Sequence, residues 1–231
     1  MSQTRLRQAL GWAAACCGAL ALFPWAAWGA QADGFEGMAS GKPPLAPWRC
    51  YCAKGDDAIE VTERRAASGT KALAISCNIP RDERHRRRLP MLRRPVEDAG
   101  ATGTAVFEGS LLFAPSADTR VVISLNGGPR GKRSVSLLNC LGALSCAGRL
   151  VWKPVVRDRW CRFRFVIDKA AGTAELSVGE KGGVWRNVFR ALPVGRPEEV
   201  FPVRRITIYF GGPAKKGVCA YLDDLSFQSI P

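Results

Sequence analysis

Histidine is almost missing from this chain of 231 residues, with His85 standing alone, and none of its nine cysteines falls in a C-x-x-C pair. One imidazole without paired thiols cannot assemble a zinc site, so zinc chemistry is set aside at the outset. Carboxylates are scarce as well: 20 Asp and Glu face 34 Lys and Arg, a formal charge of +14. Beyond the first 30 or so residues there is no long helical periodicity and no second apolar run able to span a bilayer, which excludes a helical bundle and a multi-span membrane protein.

What is present begins with a leader. Arg5 and Arg7 precede an uncharged stretch of apolar and small residues from Ala9 to Trp28 that ends in Ala30-Gln31-Ala32. That is the layout of a signal peptide over residues 1–32, with cleavage expected before Asp33 and the nearest competitor after Gly29. The expected mature chain, 33–231, is the size of a single domain and contains no further membrane segment. It keeps an excess of basic residues, and Arg far outnumbers Lys. Such an excess favours polyanionic partners, namely acidic or sulfated polysaccharide or an anionic envelope polymer. Nucleic acid is disfavoured by the export signal. Secretion or release into the periplasm is the expected destination.

Seven cysteines follow the leader: Cys50, Cys52, Cys77, Cys140, Cys146, Cys161 and Cys219. In an oxidising compartment they are expected to form at least two disulfides and to leave at least one thiol. Cys140 and Cys146, which bracket a Leu-Gly-Ala-Leu-Ser loop, are the local candidate pair.

Ten short segments read as strands: 58–63, 71–77, 104–113, 120–125, 134–139, 149–153, 160–168, 173–178, 204–210 and 220–227. Each is rich in β-branched or aromatic residues, and turn sequences such as Asn126-Gly-Gly-Pro129 and Ala170-Ala-Gly-Thr173 separate them. The expected fold class is all-β, two packed antiparallel sheets. Alternation sends Phe163, Phe165, Ile167, Ile206, Ile208 and Phe210 to the core. It sends Arg162, Arg164, Arg205, Thr207 and Tyr209 outward.

Several of these segments resemble a known family. Asp33-Gly-Phe-Glu-Gly37, Gly69-Thr-Lys-Ala-Leu-Ala-Ile75, Trp160-x-x-Phe-x-Phe-x-Ile-Asp168 with the strand that follows it, and Tyr221-Leu-Asp-Asp-Leu-Ser-Phe227 are similar to concanavalin A-like jelly rolls, in particular the laminin-G-like and carbohydrate-binding modules of secreted bacterial proteins. The resemblance implies that the first and last strands, around Phe35 and Leu225, lie side by side. It also places Asp33, Glu36, Asp223 and Asp224 at one seam, where oxygen ligands could hold a structural calcium ion, the sole metal or cofactor to be expected.

Catalytic motifs of that superfamily are not matched. Retaining glycoside hydrolysis needs two carboxyls about 5 Å apart, and the Glu-x-Asp-x-x-Glu spacing that supplies them does not occur. Lyase-like features are confined to Arg81, His85 and Tyr221, out of register and without a Gln-x-His strand. A divergent polysaccharide lyase is the enzymatic alternative. The expected function is therefore binding without catalysis, at an acidic glycan or envelope polymer, with a protein-binding domain of the cell surface as a further alternative. Two sites can be argued. Arg162, Arg164, Arg205 and Tyr209 would form a basic platform with an aromatic ring if their strands share a sheet. Arg86, Arg87 and Arg88 sit in a run of seven arginines within fourteen positions, 81–94, and clustered guanidinium groups match carboxylate, sulfate and phosphate. Trp152 and Trp185 are further candidates for stacking on sugar rings, whereas Trp160 is expected to pack.

Overall fold

A computed structural model describes residues 31–52, 58–76, 90–114, 120–128, 133–140, 144–146, 149–152, 157–180, 182–194, 197–211 and 217–231. For the segments 31–33 and 133–152 it describes the backbone course alone.

Alternation is what makes the strands. In Cys161–Asp168, Phe163, Phe165 and Ile167 are buried while Cys161, Arg162, Arg164 and Val166 are half-buried, the period of two expected of a pleated strand. The strands in chain order are β1 Gln31–Asp33, β2 Arg49–Tyr51, β3 Ala58–Thr62, β4 Ala72–Ser76, β5 Met91–Pro95, β6 Thr104–Phe113, β7 Arg120–Gly127 and β8 Arg133–Cys140. They continue with β9 Leu144–Cys146, β10 Arg149–Trp152, β11 Cys161–Asp168, β12 Thr173–Glu180, β13 Arg186–Pro193, β14 Val203–Gly211 and β15 Val218–Ile230. One helical turn, α1 Pro197–Val200, precedes β14.

Two antiparallel sheets result. Sheet A runs β13-β12-β11-β6-β15-β4-β3, with β1 also on β15; sheet B runs β10-β9-β8-β7-β14-β5-β2. The core lies between them and includes all six residues assigned inward by alternation. Strand β15 is the axis of sheet A. It pairs with β6 along its whole length, and its other side is shared by β4 at Val218–Leu222 and β1 at Leu225–Phe227. The pairing of Asp33 with Leu225 puts the first strand beside the last, as the family resemblance implied.

A bulge interrupts the β6–β15 ladder. Asp223 faces Ser110 and Ser226 faces Glu108, so β15 has one extra residue there, and Asp224 takes up a φ of 51°. Gly109 sits opposite, where a Cβ would come within 2.5 Å of Leu225 Cδ2 and 2.6 Å of Phe163 Cζ. The missing side chain is what lets the bulged strand and β11 close over β6.

A buried ion pair ties the two sheets together. Lys169, in the turn after β11, donates to Asp98 Oδ1 at 2.8 Å, to Gly100 O at 3.0 Å and to Ser229 Oγ at 3.1 Å. Asp98 also accepts from Ser229 Oγ at 2.6 Å and, through Oδ2, from Val203 N at 2.7 Å. Both charged side chains have no exposed surface. Because all three ammonium protons and both carboxylate oxygens find partners, the desolvation of the two charges is offset. Asp98 thus reaches β14 in sheet B and β15 in sheet A at once.

Five strands were not among the ten read from strand patterning: β1, which the family resemblance alone implied and placed around Phe35, β2, β5, β9 and β13. Three of them are only three residues long, and β5 ends the arginine run, its Arg93 and Arg94 lying in a strand rather than in a loop. The position of β1 also bears on the leader. Cleavage before Asp33 would remove two of its three residues, whereas cleavage after Gly29 leaves it whole.

Candidate functional site

Charge is divided between the sheets. The strands of sheet B carry eight arginines and no Asp or Glu, whereas those of sheet A carry four arginines and eight carboxylates. Among the strands, positive charge is therefore concentrated on one layer.

The outward face of sheet B has a polar floor and a basic wall. On β14, Ile206 and Ile208 point into the core and Thr207 points away; on β7, Ile123 and Leu125 do the same for Ser124 and Asn126. Yet Thr207 is 0% exposed, Ser124 2% and Asn126 6%. Outward residues this buried form a recessed floor. Thr207 donates its hydroxyl proton to Asn126 Oδ1. Around the floor stand Arg93, which pairs with Thr207 across β5–β14, Arg205, two residues before it, and Tyr209, two residues after it, each half-buried. Arg49 lies beyond Arg93 on β2. The Arg93 guanidinium stacks over the Tyr51 ring, 4.8 Å from its centroid. The Nε–H groups of Arg93 and Arg205 are buried and have no hydrogen-bond partner, which is costly for a charged donor. Arg94 faces the other way, inward, 5.5 Å over the Trp48 ring.

The outward face of sheet A is built differently. Trp185, brought over the sheet by the β12–β13 hairpin, lies 4.5 Å from Arg162 and 4.7 Å from Arg164. Arg164 is also ion-paired with Glu108 of β6. The guanidinium groups of β11 therefore hold a tryptophan and a carboxylate of their own chain. Farther along the same face, Tyr221 packs with Ala74 and Leu112, and Trp160 and Val218 lean on them.

The structure thus separates the expected platform. Arg162 and Arg164 are on β11 in sheet A, while Arg205 and Tyr209 are on β14 in sheet B, so the condition that joined them, a shared sheet, is not met. Arg81, His85, Arg86, Arg87 and Arg88 lie outside the described residues, as does the side chain of Trp152. Tyr221, the remaining lyase candidate, sits in the apolar cluster of sheet A.

The seam carboxylates are engaged with the loop between β3 and β4. Glu36 accepts from Thr70 N at 2.8 Å, Thr70 Oγ1 at 2.7 Å and Lys71 N at 2.9 Å. These bonds, that from the Lys71 amide foremost, hold its carboxyl below the usual carboxylate range. Gly69 makes room for it: a Cβ there, at φ +56°, would lie 2.2 Å from Glu36 Oε1. Asp223, 0% exposed, accepts from Ala67 N at 2.8 Å, Ser68 N at 3.1 Å and Asp224 N at 2.8 Å. Burial nevertheless pushes its carboxyl up to about 6. Asp224 accepts from Ser68 Oγ and from Ser110 Oγ. Among the described residues no three His, Cys, Asp or Glu side chains gather to hold a metal; the side chain of Asp33 is not among them.

No disulfide is formed among the described residues. Cys50 and Cys161 are thiols, pushed up by burial to about 12 and about 11, and Cys219 donates to Ile75 O at 3.1 Å. The β8–β9 register sets Cys140 opposite Leu144, not Cys146. The side chains of Cys140 and Cys146 lie outside the described residues.

Of the residues that complete the face, Asn126 and Tyr51 were not assigned to a site from sequence, Arg93 was read only as part of the arginine run, and Thr207 only as an outward residue of its strand. The register that could have joined Arg93 and Tyr51 to the face depends on β2 and β5, two of the unanticipated strands.

No family model matches the chain, and no curated protein does. Solved structures do. A GH131 β-glucanase catalytic domain from Podospora anserina superposes with a TM-score of 0.59 at 14% identity, over 86% of this chain and 95% of that one. The catalytic domain of a glycoside hydrolase family 131 protein from Coprinopsis cinerea gives 0.55 at 13%, over 80% and 84%. An endo-1,3-β-glucanase from Streptomyces sioyaensis gives 0.53 at 9%, over 86% and 95%. At such identities the likeness is one of architecture: the chain is a two-sheet antiparallel jelly-roll sandwich of the concanavalin A-like kind.

Proposed function

We propose that this chain is an exported polysaccharide-binding domain without catalytic activity, that its site is the outward face of sheet B, and that its ligand is an acidic glycan or envelope polymer. The observation that carries this reading is the pair of buried, unpartnered Nε–H groups of Arg93 and Arg205 beside a recessed polar floor. Solved structures that share the architecture include glucanases, which supports a sugar polymer as ligand. One fact argues for binding over cleavage. Hydrolysis at a paired-carboxylate site needs an acid and a second carboxylate, and the strands of sheet B have neither. The leader supports delivery outside the cytoplasm, to the periplasm or medium.

The test is affinity electrophoresis of the mature protein in gels containing polygalacturonate, alginate or a neutral β-glucan. Retardation by an acidic polymer, without release of unsaturated uronate detectable by absorbance, is the expected result. Unsaturated product would make the chain a lyase. Passage through every gel unretarded would favour the protein-binding alternative.

A further inference from the structure

We propose that Arg93 and Arg205 form a two-pronged clamp for one anionic substituent of a sugar ring, a carboxylate or a sulfate, held above Thr207, and that Tyr51 is the positioning residue for Arg93. This rests on sheet B being the glycan-binding face and names the group it reads.

The clamp follows from register. Thr207 is the outward residue of β14 directly opposite Arg93, and Arg205 is the preceding outward residue on the same strand, opposite Pro95. The two arginines are therefore diagonal neighbours, with Cα atoms about 7–8 Å apart, a spacing that lets two long side chains converge on one anion. Among the described residues neither is ion-paired to a carboxylate. Each keeps Nε–H buried and unpartnered among the described residues, and the paired Nη–H groups at the end of a guanidinium donate to two oxygens side by side. Thr207 does not compete for that acceptor, because its hydroxyl proton goes to Asn126. Stacking on Tyr51 fixes the plane of Arg93 before any ligand arrives, which reduces the side-chain ordering that binding would otherwise cost. Tyr209, on the same face two residues beyond Thr207, is placed to meet the ring that bears the substituent.

A charge-preserving substitution separates a clamp from a merely positive surface. Lys keeps the charge of Arg and lacks the planar fork. Binding is measured by affinity electrophoresis on polygalacturonate, on the same polymer fully methyl-esterified, and on dextran sulfate with dextran as its neutral counterpart. The wild type is expected to prefer at least one charged polymer over its neutral counterpart by about tenfold or more; which one identifies carboxylate or sulfate. Arg93→Lys with Arg205→Lys should erase that preference while the thermal melt stays within a degree or so of wild type. Tyr51→Leu should weaken binding several-fold, and Tyr51→Phe should restore it, since the ring face and not the hydroxyl positions Arg93. A double Lys variant that discriminates as well as wild type overturns the clamp and leaves the binding face intact. A wild type that binds charged and neutral polymers alike also overturns the clamp. A wild type that binds none overturns both proposals.

Discussion

The arginines of β11 and those flanking Thr207 differ in what surrounds them, not in kind. Arg162 and Arg164 meet Trp185, and Arg164 meets Glu108, so their charge is spent inside the chain. Arg93 and Arg205 stand on strands with no carboxylate, and their buried Nε–H groups have no hydrogen-bond partner among the described residues. Outward direction, which is all that strand alternation can reveal, does not make an arginine available to a ligand; its neighbours in register decide that.

The two sheets are tied into one body by the buried Asp98–Lys169 pair, and breaking that tie has the largest expected effect. Lys169→Ala would leave Asp98 buried without its counter-charge, at a cost of about 3–5 kcal/mol. Urea denaturation followed by tryptophan fluorescence should show a large fall in midpoint with a single transition. A midpoint close to wild type would mean that the network does not hold the sheets.

Next in size is the removal of the committed pair. Arg162→Ala with Arg164→Ala leaves Glu108 half-buried and Trp185 unsupported, and should cost about 1–3 kcal/mol while leaving retardation by acidic polymers unchanged. If binding disappears in a variant that still melts cooperatively, the ligand is on sheet A and the assignment of faces is reversed.

Salt gives a smaller effect. Contacts between half-exposed guanidinium groups and a polymer anion are screened within about 10 Å at 0.1 M ionic strength. Retardation should therefore fall several-fold between about 0.02 and 0.5 M sodium chloride. The melting temperature, set mainly by the buried core and the enclosed Asp98–Lys169 pair, should move little.

The smallest expected effect concerns pH and the loop between β3 and β4. Asp223 has a folded value of about 6 against an ordinary 3.8, so its protonated form is favoured in the fold. Its contribution is complete below about 3.8 and is lost as pH rises through about 6. Glu36 behaves oppositely: its lowered value contributes stability above the ordinary carboxylate range, lost as pH falls through the depressed value. Between pH 4 and 6 the melting temperature should decline by on the order of a few degrees from the Asp223 contribution. Asp223→Asn should abolish that slope, and an unchanged slope would mean another group sets it.

Much of the fold was legible because alternation in long strands records which face is buried. β11 and β14 declare their core residues without ambiguity. β2 does not, since Arg-Cys-Tyr is too short for a period to show. β5 actively misleads, because Arg94 turns inward onto Trp48 and breaks the apolar-in, charged-out rule that identifies a strand. The site was half legible for the same reason. Arg205 and Tyr209 could be found from their own strand, whereas Arg93 and Tyr51 acquire meaning only through pairing. Nothing in the local sequence of Arg162 and Arg164 announces that Glu108, 56 residues from Arg164, would claim one of them.

The placement of β15 sets an order of events for a newly made chain. The axis of sheet A is its last strand, so β6 has no second neighbour, and β4 and β1 have no inner neighbour, until Val218–Ile230 has been delivered. Among the described strands, joining β1 to β15 is the most distant pairing in sequence, and distant pairings form slowly because the loop must close before contacts reward it. A chain organised in this way resists premature compaction, because sheet A can close only once Val218–Ile230 is available to pair with β6, β4 and β1.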